Sequence, residues 1–170
     1  MMKLKNPVEI DEIEFIEFVN EFKSANERFV PYSLNQKDMD FQTYIRRLQE
    51  ESLGIDIPEN WVPASTYFLV DETHKIFGAV NIRHRLTDNL MIEGGHVGYG
   101  IRPSVRNQGY GTKILKMALD ILREMNVEDV LVTCDKDNIG SAKVIQNNGG
   151  KLDSEIEKDE AIIQRYWIKI

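Results

Sequence analysis

The feature that most constrains the fold is a polar loop that joins an apolar strand to an amphipathic helix through two glycines. The strand pattern of 96–101 ends before Pro103, and a helix pattern over 109–124 follows the loop Arg106-Asn107-Gln108, with Gly109, Tyr110, Gly111 and Thr112 in its first turn. The first N–H groups of a helix have no intrahelical partner and attract an anion. Glycine lets phosphate oxygens approach the backbone, and Arg106 adds a charge-assisted contact. The segment therefore predicts a phosphate-binding loop.

Two other kinds of phosphate loop do not fit this segment. A dinucleotide fingerprint needs a third glycine where the sequence has Ile114, and the Gly-Lys-Ser/Thr of a Walker loop is absent. The window 94–119 contains no Asp or Glu, although the chain has 28 acidic residues among 170. Its cationic residues include Arg102, Arg106, Lys113 and Lys116. This basic window favours a polyanion, with chance as the alternative, and the alternative for the glycine loop is a helix that merely begins with glycines.

The order of predicted elements indicates an α/β domain. Apolar residues at helical spacing predict helices at 10–22, 40–51, 109–124 and 139–147. Branched and aromatic runs predict strands at 2–5, 66–70, 76–83, 96–101, 129–134, 151–157 and 162–170, with a polar loop at 87–89. Two helices, a run of strands and then alternating strands and helices indicate a single domain over 1–170 with a mixed sheet.

Composition and charge narrow the function classes. The net charge of −7 and the pI of about 5.1 disfavour nucleic-acid binding, which needs a basic face. No apolar run approaches the roughly 20 residues of a membrane helix, and the N-terminus lacks a secretory signal, so we expect a cytoplasmic protein without membrane association. Cys134 has no partner for an internal disulfide, and the three histidines are scattered, so no metal is expected.

The glycine loop and its flanks resemble the GNAT family of N-acetyltransferases. Arg106-x-x-Gly109-x-Gly111 is similar to the Arg/Gln-x-x-Gly-x-Gly/Ala pyrophosphate loop of that family. The likeness extends upstream to Ile101-Arg102-Pro103 and downstream to Asp137-Asn138-x-x-Ser141 and Asn148-Gly149. The segments 83–86 and 94–104 are similar to a bacterial subgroup whose substrate is unassigned.

The resemblance implies a GNAT fold, in which a mixed, mostly antiparallel central sheet is flanked by helices and splayed at the CoA site. It implies that acetyl-CoA is the co-substrate and that N–H groups of 105–112 bind its diphosphate. The main chain of 99–101, including Ile101, is expected to pair with the pantetheine amides. Asn138 and Ser141 are expected near the cofactor, and capping of the following helix is the structural alternative for Asn138.

By the same resemblance, the reaction is direct attack of a neutral amine on the thioester, which requires a base. The candidate bases are Glu93, His96 and His84. Glu93 lies near the position where some relatives place a catalytic glutamate, and His96 titrates in the useful pH range. The two lie on opposite faces of a strand unless a bulge intervenes, so only one is expected to face the cleft. A satisfied position in the sheet is the structural alternative for both histidines.

The sequence departs from the family at the usual acid. The tyrosine that many relatives carry seven residues after Asn138 is replaced by Ile145. Tyr99 and Tyr166 are the candidate acids in its place. Cys134 is expected to be a buried strand residue and not a nucleophile, because this chemistry needs no acyl-enzyme.

The resulting hypothesis is an N-acetyltransferase that acts on a primary amine of a small molecule or peptide, and the acidic net charge favours a cationic acceptor. A CoA-binding sensor with this fold and no turnover is the alternative, favoured by Ile145. A nucleotide-phosphate binder unrelated to acyl transfer is a third. We expect three aromatic features in the core: Trp61, Phe29 and the C-terminal segment 165–168. The acceptor site is the alternative location for each of them, and a homodimer contact is a further alternative for the C-terminal segment.

Overall fold

The structure, a computed structural model, describes all residues from 1 to 170 and contains seven strands and five α-helices. The strands are β1 (Lys3–Lys5), β2 (Ala64–Val70), β3 (Ile76–Arg83), β4 (Val97–Ile101), β5 (Asp129–Asp135), β6 (Lys151–Lys158) and β7 (Ala161–Lys169). The helices are α1 (Glu12–Ser24), α2 (Phe41–Leu53), α3 (Asp88–Ile92), α4 (Tyr110–Glu124) and α5 (Ile139–Asn147). Every predicted helix and strand is present, and α3 lies where the sequence suggested a polar loop. None of the helices combines the length and the apolar character needed to span a bilayer.

The strands form two antiparallel sheets, ordered β1–β2–β3–β4 and β5–β7–β6. The sheets meet where the start of β4 lies beside β5, and there the backbone N–H of His96 donates to the carbonyl of Leu131 at 2.8 Å. No ladder of hydrogen bonds continues beyond that point, so a gap opens between β4 and β5. The predicted α/β fold with a mostly antiparallel, splayed sheet is confirmed, and the gap divides that sheet in two.

A pair of glycines forms the junction between the sheets. Gly94 has φ 106° and Gly95 has φ 59°, and residues that carry a side chain rarely adopt either backbone conformation. A Cβ on Gly95 would lie 2.3 Å from the carbonyl oxygen of Leu131, so only glycine allows this turn to lie against β5. Arg83 Nη1 secures the turn by donating to the carbonyls of Gly94 at 2.8 Å and Gly95 at 3.1 Å.

Two apolar clusters cover opposite faces of the first sheet. On one face, rings from α1, α2 and β2 pack together: Phe15, Phe18, Phe22, Phe41, Tyr44 and Phe68. On the other face, α4 and α5 pack on both sheets through Ile114, Leu115, Leu119, Leu122, Val132, Ile145 and Tyr166. Each such side chain contributes about 1.5–3 kcal/mol when fully buried. The second cluster therefore holds the two sheets together although they diverge at the gap.

A buried arginine ties α1 to the end of β4. Arg102 is 5 % exposed and donates from Nη1 to Glu14 Oε1 at 2.6 Å and from Nε to Glu21 Oε1 at 2.5 Å. The backbone N–H of Ser104 donates to the second oxygen of Glu21 at 3.0 Å. The sequence placed Arg102 in a basic window that favours a polyanion. The structure corrects this interpretation, because two carboxylates of α1 neutralise the guanidinium inside the fold.

Candidate active site

A cavity of about 630 Å³ opens between β4, the start of α4, α5 and the segment that follows α1. Its walls include nine of the ten residues predicted to bind the cofactor: Ile101, Arg106, Asn107, Gly109, Tyr110, Gly111, Thr112, Asn138 and Ser141. Gln108 belongs to the same loop but does not line the cavity. Tyr99, a predicted catalytic residue, lines it as well. We call this space the first cavity.

The start of α4 presents its backbone N–H groups without protein partners. None of the six N–H groups from 107 to 112 donates to a backbone or side-chain acceptor, and the first hydrogen bond of the helix runs from Lys113 N to Gly109 O. Asn107 has φ 60° and Gly109 has φ 85°, so the chain curls and turns successive N–H groups toward one side. A Cβ on Gly109 would meet nothing within 4 Å, so space is open in front of the helix. This arrangement fits an anion such as a diphosphate.

Arg106 is paired within the chain. It donates from Nη1 and Nη2 to the two oxygens of Glu27 at 2.8 Å and 2.6 Å, and from Nε to the carbonyl of Ile101 at 3.1 Å. Glu27 also lines the first cavity, so the carboxylate offsets the charge of Arg106 there. Lys143 of α5 lines the same cavity and forms no ion pair. Unpaired positive charge in this cavity therefore comes from α5.

The open edge of β4 faces the gap. In the antiparallel register with β3, residues 98 and 100 exchange hydrogen bonds with β3, so the peptide groups of Tyr99 and Ile101 point the other way. On the α1 side, Gly100 lies beneath the carbonyl of Val30, which would be 1.8 Å from an added Cβ. The edge therefore offers main-chain partners to an extended ligand such as pantetheine.

The hydroxyl of Tyr99 is buried and has no hydrogen-bond partner. Burial raises the pKa of Tyr99 to about 12, while the nearby hydroxyl of Ser141 acts to lower it and Cys134 to raise it. This phenol is therefore protonated near neutral pH and has a proton to donate. Tyr166, the other candidate acid, donates its hydroxyl proton to Gln164 Oε1 at 2.8 Å and lies outside the first cavity.

Asn138 performs the structural role that the sequence offered as its alternative. Its Oδ1 accepts from the backbone N–H of Ser141 at 3.0 Å and caps α5. Both residues nevertheless line the first cavity. Capping orients the asparagine at the cavity wall, so the two roles are compatible.

The structure brings none of the three candidate bases to the walls of the first cavity. Glu93 pairs with Lys158 on the surface. His96 is 6 % exposed, and its Nδ1 accepts from the backbone N–H of Leu131 at 3.0 Å. His84 contacts Ser65 Oγ through Nε2 at 2.8 Å.

Two of these environments have clear electrostatic consequences. Burial lowers the pKa of His96, and the charge of Arg83 lowers it further. Burial also lowers the pKa of His84. In neutral His96 the Nδ1 lone pair is occupied by Leu131 and the proton sits on Nε2, so the ring has no free lone pair. The two histidines have the satisfied positions in the sheet that were their structural alternative.

A second cavity of about 350 Å³ lies on the α2 side of the first sheet. It is lined by Tyr32, Ser33, Glu51, Asn60, Trp61, Val62, Ala64, Asn81, Arg83, Thr87, Asn89 and Leu90. The sequence suggested the acceptor site as an alternative location for Trp61 and Phe29. Trp61 lines this second cavity, whereas Phe29 packs against the ring of Phe22. Arg165 of the C-terminal segment reaches the carbonyl of Met91 and the carboxylate of Asp153 instead.

Residues that sequence reasoning missed come from two elements. From the end of α1 and the following segment, Phe22, Glu27, Arg28 and Val30 line the first cavity, and no local pattern marks them. From α5, Gly140, Lys143, Val144 and Asn147 also line it. Counted from Gly140, the other three follow at three, four and seven residues, so the helical period identifies the four as one face of α5.

Comparison with solved structures places this fold among acetyltransferases. The ribosomal-protein-S5-alanine acetyltransferase from Vibrio fischeri has a TM-score of 0.68 at 16 % identity, over 99 % of this chain and 91 % of that one. The Campylobacter jejuni N-acetyltransferase PseH, solved in complex with acetyl coenzyme A, has a TM-score of 0.62 at 16 % identity, over 99 % of both chains. The Salmonella typhimurium acetyl transferase that modifies the N-terminal serine of L7/L12 has a TM-score of 0.65 at 14 % identity, over 99 % and 95 %.

Sequence comparison identifies the family. No curated protein gives a significant match to the sequence. The sequence model of the acetyltransferase (GNAT) domain, however, matches residues 4–151. That match covers the first sheet from residue 4, strand β5, all five helices and the whole wall of the first cavity, and β7 lies beyond it. The chain therefore belongs to the GNAT acetyltransferase family and is an acyltransferase that depends on acetyl-CoA.

Proposed function

We propose that the protein transfers the acetyl group of acetyl-CoA to a primary amine of a small molecule or peptide by direct attack of the amine. The observation that carries this proposal is the row of six unpartnered N–H groups from 107 to 112, in which every residue except Gln108 lines the first cavity. The cavity continues from that row along the open edge of β4 to Tyr99. Bound acetyl-CoA supplies an activated thioester carbonyl, and the residues below bind and orient it.

The binding roles follow from where the polar groups lie. The N–H groups of 107–112 bind the diphosphate, and Lys143 adds positive charge. The N–H and carbonyl of Tyr99 and the N–H of Ile101 hold the extended arm along β4, since the carbonyl of Ile101 already accepts from Arg106 Nε. Asn138 and Ser141 line the opposite wall, and the helix that they begin closes the cavity from that side.

Direct attack is favoured over an acyl-enzyme route by the state of the one cysteine. Burial, with a smaller contribution from Asp135, raises the pKa of Cys134 to about 11. The thiol is therefore protonated near neutral pH, and only a thiolate is a good nucleophile. We expect sequential kinetics and a Cys134→Ala variant with nearly unchanged kcat. Ping-pong kinetics, together with loss of turnover in that variant, would contradict direct attack.

We propose that the acceptor ammonium loses one proton to solvent before attack and that its nitrogen loses a second one to solvent as the C–S bond breaks. Tyr99 donates a proton to the departing thiolate and regains one from solvent. The first part rests on His96 having no free lone pair and on Glu93 being paired with Lys158. The logarithm of kcat/KM should then rise with pH until the pKa of the amine used, and should shift with that pKa across a series of acceptors. Glu93→Gln should leave this profile unchanged; a lost basic limb in that variant would identify Glu93 as the base.

The binding site is tested by placing a carboxylate in front of α4. Gly109 and Gly149 have nearly equal φ, 85° and 86°, and a Cβ at either position meets nothing within 4 Å. Gly109→Asp and Gly149→Asp therefore impose the same charge and similar strain, one at the cavity wall and one away from it. We expect Gly109→Asp to raise the Kd for acetyl-CoA about 100-fold, because the added charge repels the diphosphate. Gly149→Asp should change it less than about 3-fold. Equal effects would remove the assignment.

The turnover itself is tested by release of the CoA thiol with a panel of amines. Amine-dependent release that Gly109→Asp abolishes and Gly149→Asp preserves supports the proposal. Binding of acetyl-CoA without release by any amine would favour the sensor alternative. Protection against thermal unfolding by ATP or NAD and not by CoA would favour a nucleotide binder.

A further inference from the structure

The second cavity contains a guanidinium that has no carboxylate partner. Arg83 forms no salt bridge, and its protein acceptors are the carbonyls of Gly94 and Gly95, both bonded to Nη1. Burial lowers the pKa of Arg83, and no nearby acid offsets that effect. The one carboxylate of the wall, Glu51, lies 3.7 Å from Arg47 Nε, and burial raises the pKa of Glu51, which disfavours its negative charge. The uncompensated charge of this cavity is therefore positive, and a partly buried charge of this kind favours an anionic ligand.

The free edge of this guanidinium lies beside β4. Nε and Nη2 of Arg83 have no protein acceptor, and Nη2 would be 3.6 Å from a Cβ added to Gly98. Two neighbouring N–H groups on one side of a planar guanidinium match the two oxygens of a carboxylate. Because Gly98 has no side chain, no Cβ of β4 crowds this edge.

The two cavities adjoin at this position. Val30 lines the first cavity, Tyr32 and Ser33 line the second, and Pro31 alone separates them along the chain. Pro31 Cβ would be 3.7 Å from a Cβ on Gly98, so the same glycine lies between Pro31 and Arg83. The next residue of β4, Tyr99, lines the first cavity. A group that extends from the second cavity toward Tyr99 would thus pass between Pro31 and Arg83, in front of Gly98.

The rest of the second cavity suits a small side chain. Tyr32 and Trp61 form an edge-to-face pair with ring centroids 6.2 Å apart, and Val62 adds a buried apolar surface. The volume of about 350 Å³ lies near the lower end of the range for ligand pockets. A long polymer is therefore a poorer fit than a compact molecule with one apolar group.

We propose that the acceptor is an α-amino carboxylate, that is, a free amino acid or a close analogue. Arg83 binds the carboxylate through its free edge, the adjacent amine points past Gly98 to the gap, and the side chain packs toward Trp61. The proposal rests on the acetyl transfer proposed above and specifies its acceptor. The acceptor proposed here differs from the cationic acceptor that the negative net charge of the chain favours, because the local charge at Arg83 is positive.

The test uses pairs of acceptors that differ only in the carboxylate. Each standard α-amino acid is compared with its decarboxylated amine and with its primary amide, by release of the CoA thiol. The wild-type enzyme should prefer the best free amino acid over its decarboxylated amine by about 50-fold in kcat/KM, the effect of one charged hydrogen-bonding partner. Equal or better turnover of the decarboxylated amines would overturn the proposal.

Variants at two neighbouring arginines separate binding from structure. Arg83→Met also removes the hydrogen bonds of Nη1 to the Gly94–Gly95 turn, so the readout is the difference between two acceptors: kcat/KM should fall about 50-fold more for the amino acid than for the decarboxylated amine. Arg83→Lys should recover part of the loss, because it keeps the charge without the fork. Arg85 is exposed and forms no ion pair, so Arg85→Met is the matched control and should change neither value. Equal losses for both acceptors in Arg83→Met would overturn the carboxylate role.

A binding measurement keeps this inference independent of turnover. In a Trp167→Phe background, Trp61 is the only tryptophan, and the free amino acids are titrated without acetyl-CoA while its fluorescence is recorded. A saturable change that Arg83→Met weakens and Arg85→Met preserves supports the acceptor site even if no amine is acetylated. If no amino acid changes the signal and none is acetylated while another amine is, the proposal fails and the acetyl transfer stands.

Discussion

Glu27 holds Arg106 through two parallel hydrogen bonds of 2.8 Å and 2.6 Å at the mouth of the first cavity. The two residues lie 79 positions apart, and each side chain is 38 % exposed. The guanidinium also lies 5.7 Å from the ring of Phe22. The hydrogen bonds from Arg106 lower the pKa of Glu27, so the carboxylate is ionised near neutral pH. Arg106, which the sequence predicts as a phosphate contact, is therefore already neutralised by Glu27, and the carboxylate of Glu27 would repel a diphosphate.

The first prediction concerns that carboxylate. Glu27→Gln should tighten acetyl-CoA binding by about 3- to 10-fold at low salt, because it removes a negative charge next to the diphosphate site and releases Arg106. Arg106→Gln should weaken binding by a similar factor. Calorimetric titration at two salt concentrations measures both.

A control for this prediction exists on α4. Asp120 pairs with Arg123 at 2.6 Å, exposed and outside the first cavity, so Asp120→Asn should leave the Kd unchanged. Weaker binding in Glu27→Gln would show instead that the carboxylate is needed to orient Arg106.

The second prediction is that removing one oxygen from Tyr99 has opposite effects on activity and stability. Its buried hydroxyl has no partner, and an unsatisfied buried hydroxyl costs about 1–3 kcal/mol. Tyr99→Phe should therefore unfold at an equal or higher urea concentration than the wild type. If the phenol donates a proton to the departing thiolate, kcat should fall about 100-fold.

Tyr166→Phe is the matched variant for Tyr99→Phe. It loses a hydrogen bond to Gln164 outside the first cavity, so it should lose some stability and keep its kcat. An unchanged kcat in Tyr99→Phe would remove the acid from the proposed mechanism, whatever its stability.

Sequence reasoning identified the part of this site that depends on local structure. The N–H groups of 109–112 lack partners because α4 begins after its N-cap Gly109, and that follows from residues a few positions apart. The walls contributed by Glu27 and Val30 depend instead on how the segment after α1 packs across the sheet. No spacing in the chain specifies that Glu27 meets Arg106, so this partner was found only in the fold.

The candidate bases illustrate the same limit. Strand alternation suggests which way His96 points, and residue type suggests that it titrates usefully. Neither reveals that the gap starts at His96, where its ring accepts a hydrogen bond from the backbone of β5. Likewise the polar residues 87–89 predict a loop, whereas the structure has α3 there, and Thr87 Oγ1 caps this helix by accepting from Leu90 N at 3.3 Å.

The third prediction follows from the histidines of the sheet. Burial lowers the pKa of His96, with a further contribution from Arg83, and burial lowers the pKa of His84. The unfolded chain therefore binds more protons than the folded chain below about pH 7, so stability must fall as the pH falls through the unfolded pKa of about 6.5. Each histidine contributes a slope of at most about 1.4 kcal/mol per pH unit.

Urea unfolding between pH 8 and pH 5 measures this slope. His96→Asn keeps an acceptor near the position of Nδ1 and removes the titrating group, so its slope should be smaller than that of the wild type. His74 lies in the turn between β2 and β3, and His74→Asn is the control. A slope that His96→Asn leaves unchanged would contradict the buried, neutral state of this ring.

The last prediction concerns the stability that Arg102 contributes. Arg102→Met removes the partner of Glu14 and Glu21 and leaves two carboxylates without a counter-charge, a change that typically costs about 3–5 kcal/mol. Arg123→Met removes an exposed pair and should cost less than about 0.5 kcal/mol.

Although burial acts to raise it, hydrogen bonds from Arg102 and Ser104 lower the pKa of Glu21. The contribution of ionised Glu21 to the free energy of unfolding is thus complete above the unfolded pKa of about 4.3. It is lost as the pH falls through the lower pKa that Glu21 has in the folded state. The difference in unfolding free energy between the wild type and Arg102→Met should therefore shrink below about pH 4. A small cost at pH 7, or a difference that does not depend on pH, would show that α1 is held to β4 by apolar packing alone.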